Sequence, residues 1–334
     1  IASVLSRKYN VHKTPGNFNN EWGLPITIFE MNESHEIAIL EMGVNHFGEM
    51  RRLSSVAGPD ICVITNIGIA HLEFFKTREG IFQEKSQMIQ DMKNGGAIIL
   101  NGDDNILCET GAIKGVQPQF FGMGEDNEFR AENVTSLGLK GSSCTIHLPS
   151  GESFDCTVPL PGVHMVSNAL AGAAVGYNLS LTPDEIKAGI ESLPSIPGRG
   201  NIISTDRIVI LDDCYNANPI SMKASMDVLD LAIGRKVAIL GDMGELGENA
   251  GQMHCEVGRY AAEKNIDLVC GIGILGKEIV SGAASGENTE ALWFETKADF
   301  LRTVKDIIKT GDNVLVKASH GMHLEEIVET LRTL

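Results

Sequence analysis

The chain has 334 residues, 44 acidic against 27 Lys and Arg side chains (a net charge of −17), 43% hydrophobic and 21% charged residues. That length suggests about two domains of roughly 100–200 residues each, the acidic excess argues against a nucleic-acid backbone as partner, and no apolar run approaches the roughly 18–20 residues of a membrane span. Seven scattered cysteines without CxxC spacing indicate neither a disulfide framework nor a zinc knuckle and fit small buried thiols in a reducing cytoplasm, so the expectation is a soluble, cytoplasmic protein.

The chain opens on "IASVLSRKYN", where Ile1, Val4 and Leu5 share one helical stripe without an N-cap residue, as in a helix entered partway. "EIAILEMGV", "DICVITNIG" and "GAIIL" read as strands, with "GEMRRLSSVAG" and "REGIFQEKSQMIQDM" as helices between them. Near-continuous apolar strands alternating with amphipathic helices predict βαβ units on a buried parallel sheet. From about Phe129 to Leu160, short alternating segments broken by Gly, Ser and Pro predict an antiparallel meander or hairpin insert. Two helices follow, "HMVSNALAGAAVGYNLS" and "TPDEIKAGIESL", the second with a Thr-Pro start signal. "PSIPGRGN" reads as a linker. After it "RIVILDDC", "KVAILGDM", "IDLVCGIG" and "NVLVKAS" predict the strands of a second α/β domain.

Ligands of α/β proteins sit beyond the carboxyl ends of the strands. There the first domain offers Glu41 and His71, with Lys85 on the following helix. A carboxylate and an imidazole at neighbouring strand ends suit either a shared metal or satisfied polar groups at a sheet edge. Asn17, Asn19 and Asn20 in "GNFNNEWG" suit a turn or a polar substrate. In the second domain Asn218 before Pro219 has the form of an N-cap and N1 pair. Tyr215, Asn216 and Asn218 together also offer a ring and two amides to a nucleobase, and Asp242 a carboxylate to a ribose hydroxyl. Gly271, Gly273 and Gly276 form a literal GxGxxG, the dinucleotide fingerprint in form. It falls late in its domain, where a tight turn is the commoner reason for such glycines.

Taken together, "KTPGNFNNEWGLP", "AILEMGVNHFGEM", "TNIGIAHLEFF", "LPGVHMVSNALAGAA", "PGRG", "DDCYNANPISMKA" and "LGDMGELGENA" resemble, in order and spacing, the Mur ligases. "YNANPISM" with "GDMGELG" resembles the branch that adds D-alanyl-D-alanine to UDP-N-acetylmuramoyl-tripeptide. The resemblance implies a central ATPase domain over 1–197, with a mostly parallel sheet and a small antiparallel insert. It implies a Rossmann-like C-terminal domain over 198–334, and a monomer working with ATP and Mg2+. It implies Glu41, His71 and a carbamylated Lys85 as metal ligands. Arg199, Tyr215, Asn216, Asn218 and Asp242 become contacts of ATP, and Asn17, Asn20, Lys317 and Ser319 contacts of the substrates. His320 stands where family members often carry Arg. The family's GxxGK[ST] phosphate loop precedes a helix like "IASVLSRKYN", and no such string occurs in the 334 residues. The expectation is a chain that lacks that loop and the UDP-binding domain, with little ligase activity by itself. A sibling amide ligase, an oxidoreductase built on the "GIGILG" turn and a non-catalytic nucleotide-binding fragment are the rival readings.

Overall fold

Apolar runs and amphipathic stretches become strands and helices throughout the computed structural model, which describes residues 1–68 and 72–334. The chain separates into two units, the first built of Ile1–Ser136, Ser142–Pro159 and Val163–Leu193, the second of Leu137–Gly141, Leu160–Gly162 and Pro194–Leu334.

In chain order the first unit holds α1 (Ala2–Leu5), β1 (Val11–Lys13), α2 (Gly23–Phe29), β2 (Ile37–Ile39), α3 (Glu49–Ala57), β3 (Ile61–Ile64), α4 (Leu72–Phe75), α5 (Arg78–Lys85), β4 (Ala97–Asn101), β5 (Gln119–Gly122), β6 (Phe129–Ser136), β7 (Ser142–His147), β8 (Ser153–Val158), α6 (Val163–Asn178) and α7 (Pro183–Glu191). Strands β3 to β8 lie side by side in one sheet in sequence order. Pairing is parallel from β3 to β6 and antiparallel from β6 to β8. The antiparallel segment is a meander that continues the parallel sheet, because β6 pairs with β5 on one side and β7 on the other. β1 and β2 form a separate parallel pair.

β4 shows why the sheet is buried on both faces. Ile98 and Leu100 enter a core with Leu24, Met50, Leu53 and Ile89, while Ile99 between them enters one with Leu5, Val166 and Leu170. Successive side chains of a strand point to opposite faces, so a continuous apolar run needs helices on both. The opening helix is shorter than its stripe suggested, a single turn that buries Val4 and Leu5. α7 begins as its sequence promised. Thr182 Oγ1 accepts from the Glu185 amide, the Glu185 carboxylate accepts from the Thr182 amide, and Pro183 follows the cap.

The second unit holds β9 (Asn201–Ser204), β10 (Val209–Asp212), α8 (Pro219–Asp230), β11 (Lys236–Gly241), α9 (Ala250–Glu263), β12 (Leu268–Ile272), α10 (Gly276–Ala283), β13 (Glu290–Phe294), α11 (Lys297–Ile307), β14 (Asn313–Lys317) and α12 (Glu325–Arg332). The spatial order is β13-β12-β11-β14-β10-β9. All pairs are parallel except β9 with β10. β9 and β13 carried no sequence signal strong enough to be predicted. Val237 and Ile239 of β11 face one core, and Ala238 and Leu240 the other. α9 and α10 pack at backbone contact. A Cβ on Gly258 would stand 1.9 Å from the Ile279 carbonyl oxygen, and one on Gly282 2.0 Å from that of Cys255. Among the described residues no helix is long and apolar enough to cross a membrane.

Candidate functional site

In the first unit the candidate residues gather where β2 and β3 end. Glu41 lies two residues beyond β2, and its position is fixed from two sides. Its amide donates to Thr14 Oγ1 (2.8 Å) and its Oε1 accepts from Asn19 Nδ2 (2.9 Å). Gly43 lets this happen: its amide donates to the Asn19 carbonyl (2.8 Å), and a Cβ there would meet the Asn19 amide group at 2.8 Å. Lys85 closes α5 and reaches back, donating to the Asn66 carbonyl at 3.2 Å. Burial pushes its amine below the ordinary lysine range, against an opposing pull from the Asp104 charge. Glu41 and Lys85 both line a cleft of about 980 Å³ whose walls include Thr14, Ile39, Val63 and Thr65.

The other residues predicted here divide. Asn20 is occupied with structure, its Oδ1 accepting from the Trp22 (3.0 Å) and Gly23 (2.8 Å) amides at the start of α2. Asn17 is exposed on its loop. His71 lies outside the described residues. Among the described residues no cluster of three or more His, Cys, Asp or Glu stands ready for a metal.

Two acidic residues that the sequence reading passed over organise this end of the sheet. Glu84, buried, accepts from the amides of Gly48 (2.9 Å) and Met50 (2.7 Å) and so anchors the start of α3. Asp104 accepts from the Ile67 amide (2.8 Å) and from Arg78 (3.2 Å), and Arg78 in turn donates to the Ile67 carbonyl (2.8 Å). That pair holds the segment after β3 against which Lys85 rests. The backbone amides that Glu84 and Asp104 accept from lie more than 30 residues away in sequence, and a lone Glu or Asp carries no local sign of such a role.

In the second unit the strand order reverses beside β14, and the predicted residues lie at the carboxyl ends of β10, β11 and β14, the place where this topology opens a crevice. The Arg199 guanidinium sits 4.1 Å from the centre of the Tyr215 ring, and the His320 ring lies 5.4 Å from it. Gly198, at φ +74, brings the linker close enough for the Tyr215 amide to donate to its carbonyl at 3.0 Å. Asn218 is the N-cap of α8, in a reciprocal box with Ser221. Asn216 turns its Oδ1 to the Ala217 amide (2.8 Å).

Lys317 faces inward. Its side chain is 3% exposed, and its amine donates to Asp213 Oδ2 (2.6 Å), the Asn216 carbonyl (3.0 Å) and the Asp213 carbonyl (3.4 Å). Asp213 also accepts from the Gly200 amide (2.9 Å) and from Ser225, so one carboxylate ties linker, α8 and β14 together. Ser319 Oγ accepts from the Gly244 amide (2.8 Å), and its own amide donates to the Asp242 carbonyl (3.1 Å). His254, buried in α9, holds the intervening residue: its Nε2 accepts from the Met243 amide (2.8 Å) while Nδ1–H donates to the Ala250 carbonyl (2.6 Å). That arrangement requires the neutral ring, and burial lowers the His254 pKa accordingly.

Residues 1–176 match the family model described as the Mur ligase middle domain, and residues 198–320 the one described as the Mur ligase, glutamate ligase domain. The chain is 38% identical to the UDP-N-acetylmuramoyl-tripeptide–D-alanyl-D-alanine ligase of Bacillus subtilis, over 99% of its own length and 72% of that protein's. It is 33% identical to the Escherichia coli enzyme of the same name, over 99% and 73%. Solved structures similar to it include MurF from Acinetobacter baumannii (TM-score 0.91, 32% identity, covering 100% of this chain and 73% of that one). Another is the MurF ligase from Thermotoga maritima in complex with ADP (TM-score 0.86, 28% identity, covering 99% and 75%).

Proposed function

We propose, from the premise that this chain belongs to the Mur ligase family, that it is the catalytic body of a cytoplasmic, monomeric ATP-dependent ligase. The reaction joins D-alanyl-D-alanine to UDP-N-acetylmuramoyl-tripeptide in peptidoglycan precursor synthesis. The observation that carries this reading is the match along 99% of the chain to ligases named for that reaction.

The chemistry balances in two displacements. The tripeptide's terminal carboxylate oxygen attacks the γ-phosphorus of ATP, and ADP leaves with the bond's electron pair. The dipeptide's amine then attacks the acyl carbon, loses a proton, and inorganic phosphate leaves. Both steps bring anions together, so the protein's contribution is positioning and charge neutralisation. In the second unit Tyr215, backed by Arg199, offers a ring to the adenine. The Arg199 cation stands beside the nucleotide, and Asp242 accepts from a ribose hydroxyl. Asn216 and Asn218 shape the turn that carries Tyr215. Lys317 and Ser319 hold the end of β14 from within, which supports a positioning role toward the substrates. In the first unit Asn19 orients Glu41, and Asn17 and Asn20 frame the same loop for the tripeptide.

The donor chemistry around Glu41 fits a hard cation such as Mg2+ once Lys85 carries oxygen. Its lowered amine pKa favours the neutral form that adds carbon dioxide, giving the carbamate and releasing one proton. Glu41, that carbamate and His71 would then hold the ion. Bound there, Mg2+ supplies charge stabilisation for the transferring phosphoryl group.

The test is ADP release measured with and without each substrate, for this chain and for a polypeptide extended upstream of it. The expected result is turnover by the extended polypeptide, with little by this chain, that requires both the tripeptide nucleotide and D-alanyl-D-alanine. Turnover with a single amino acid in place of the dipeptide would move the protein to a sibling ligase. ADP release in neither polypeptide would reject the reading.

A further inference from the structure

The turn "GIGILG" has the form of a dinucleotide cradle, yet the structure fills it with a carboxylate. Gly273, at φ +103, faces Asp242: a Cβ there would lie 2.6 Å from the carboxyl carbon and from both oxygens. A pyrophosphate approaching the same backbone would meet that negative charge, so the turn does not serve as an anion site. The other glycines close the turn upon itself. A Cβ on Gly271 would stand 2.2 Å from the Gly276 carbonyl oxygen, and one on Gly276 2.9 Å from the Gly271 carbonyl carbon. The result aims the Gly276 amide at Asp242 Oδ1, at 2.7 Å. The turn itself is pinned by β13, since its Gly273 amide donates to the Phe294 carbonyl (3.0 Å) and its Gly273 carbonyl accepts from Trp293 Nε1 (2.8 Å).

We propose that the Gly271–Gly276 turn is a positioning device for Asp242, fixing one carboxylate oxygen so that the other accepts a single hydroxyl of the bound nucleotide. The inference rests on the nucleotide reading above, in which Asp242 meets the ribose. Its physical content is geometric. Oδ1 is engaged by Gly276, Oδ2 has no hydrogen bond among the described residues, and the contacts of Trp293 and Phe294 hold Gly273 against the carboxylate. Gly273 and Trp293 are then specificity residues that touch no ligand themselves.

The experiment compares equilibrium binding of ADP, 2′-deoxy-ADP and 3′-deoxy-ADP to this chain and to its Asp242→Asn, Gly273→Ala and Trp293→Phe variants. A hydrogen bond to a charged group contributes about 1.5–3 kcal/mol, so the unmodified chain should bind one deoxy analogue roughly tenfold or more weakly than ADP. Asp242→Asn and Gly273→Ala should both bring that ratio to within about twofold, and Trp293→Phe, which keeps an aromatic side chain but loses the indole N–H that holds the turn, should at least halve it. General loss of structure would weaken all three ligands alike and leave the ratio standing. If Asp242→Asn abolishes the discrimination while Gly273→Ala and Trp293→Phe keep it, the positioning inference fails and the nucleotide reading survives. Should Gly273→Ala not fold, an unchanged ratio in Trp293→Phe overturns the inference. An unmodified chain that ignores the hydroxyls, or a ratio that survives Asp242→Asn, rejects the assignment of Asp242. If neither this chain nor a polypeptide extended upstream of it binds any nucleotide, the functional reading falls, and the inference with it.

Discussion

Replacing Lys317 by Met keeps the length and apolar stem of the side chain and deletes its charge. The structure says what is lost: donors to Asp213 Oδ2, the Asp213 carbonyl and the Asn216 carbonyl, all at a side chain 3% exposed. Removing one partner of a buried ion pair costs about 3–5 kcal/mol when the other charge is left alone. Asp213 is not left alone. It retains the Gly200 amide and the Ser225 hydroxyl, and its side chain is 19% exposed. The expected cost is therefore below that range, about 2–3 kcal/mol, mostly from unpaired carbonyls and a partly desolvated carboxylate. For a unit of this size that lowers the melting midpoint by roughly 5–10 °C. Differential scanning calorimetry should show the loss in the transition of the second unit, with Lys305→Met, at an exposed position of α11, as the control. A shift below about 1 °C in Lys317→Met, or an equal shift in the control, would refute the claim that Lys317 is committed to the interior.

Gly282→Ala drives a methyl into the Cys255 carbonyl; overpacking of this kind costs about 1–3 kcal/mol, outweighing the better helix propensity of Ala, and urea unfolding should report it as a lowered midpoint. His254 is neutral in the fold with a pKa held below its unfolded value, so its contribution is complete above about pH 6.5 and lost as pH falls through the lower, folded value. Asp242 and Glu278 oppose the shift without reversing it. Stability measured between pH 7 and 5 should fall in the parent protein and fall less steeply in His254→Gln; parallel slopes would contradict this. Protein equilibrated with 13C-bicarbonate should give a carbamate carbon resonance that Lys85→Met lacks; a signal indifferent to that substitution would remove Lys85 from the proposed ligand set.

Where a function was written in local spacing, the sequence could be read. Thr182-Pro183 and Asn218-Pro219 announced two helix starts, and both cap as their spacing requires. The continuous apolar runs of β4 and β11 announced strands covered on both faces. The residues that escaped act at long range. Glu84 holds α3, Asp104 holds the segment after β3, and Asp213 joins three elements, each through side-chain oxygens whose partners the primary structure does not bring near. The "GIGILG" string shows the reverse problem. Its glycines are there for close approach, as the turn reading anticipated, but no pattern says that the approaching group is Asp242 rather than a ligand.

The order of strands in the second unit also has a consequence in time. β14 is the last strand in sequence and lies in the middle of the sheet, between β10 and β11. As the polypeptide leaves the ribosome, β11, β12 and β13 can associate through local crossovers, and β9 with β10 as a hairpin. Until Asn313–Lys317 emerges, the two halves present unpaired edges at β10 and β11, both largely apolar. Closure then waits on a contact of large sequence separation, which is intrinsically slow and leaves those edges open to pairing with other chains. The unit's sheet is finished from the inside, and its most exposed moment in the cell comes just before its final strand is made.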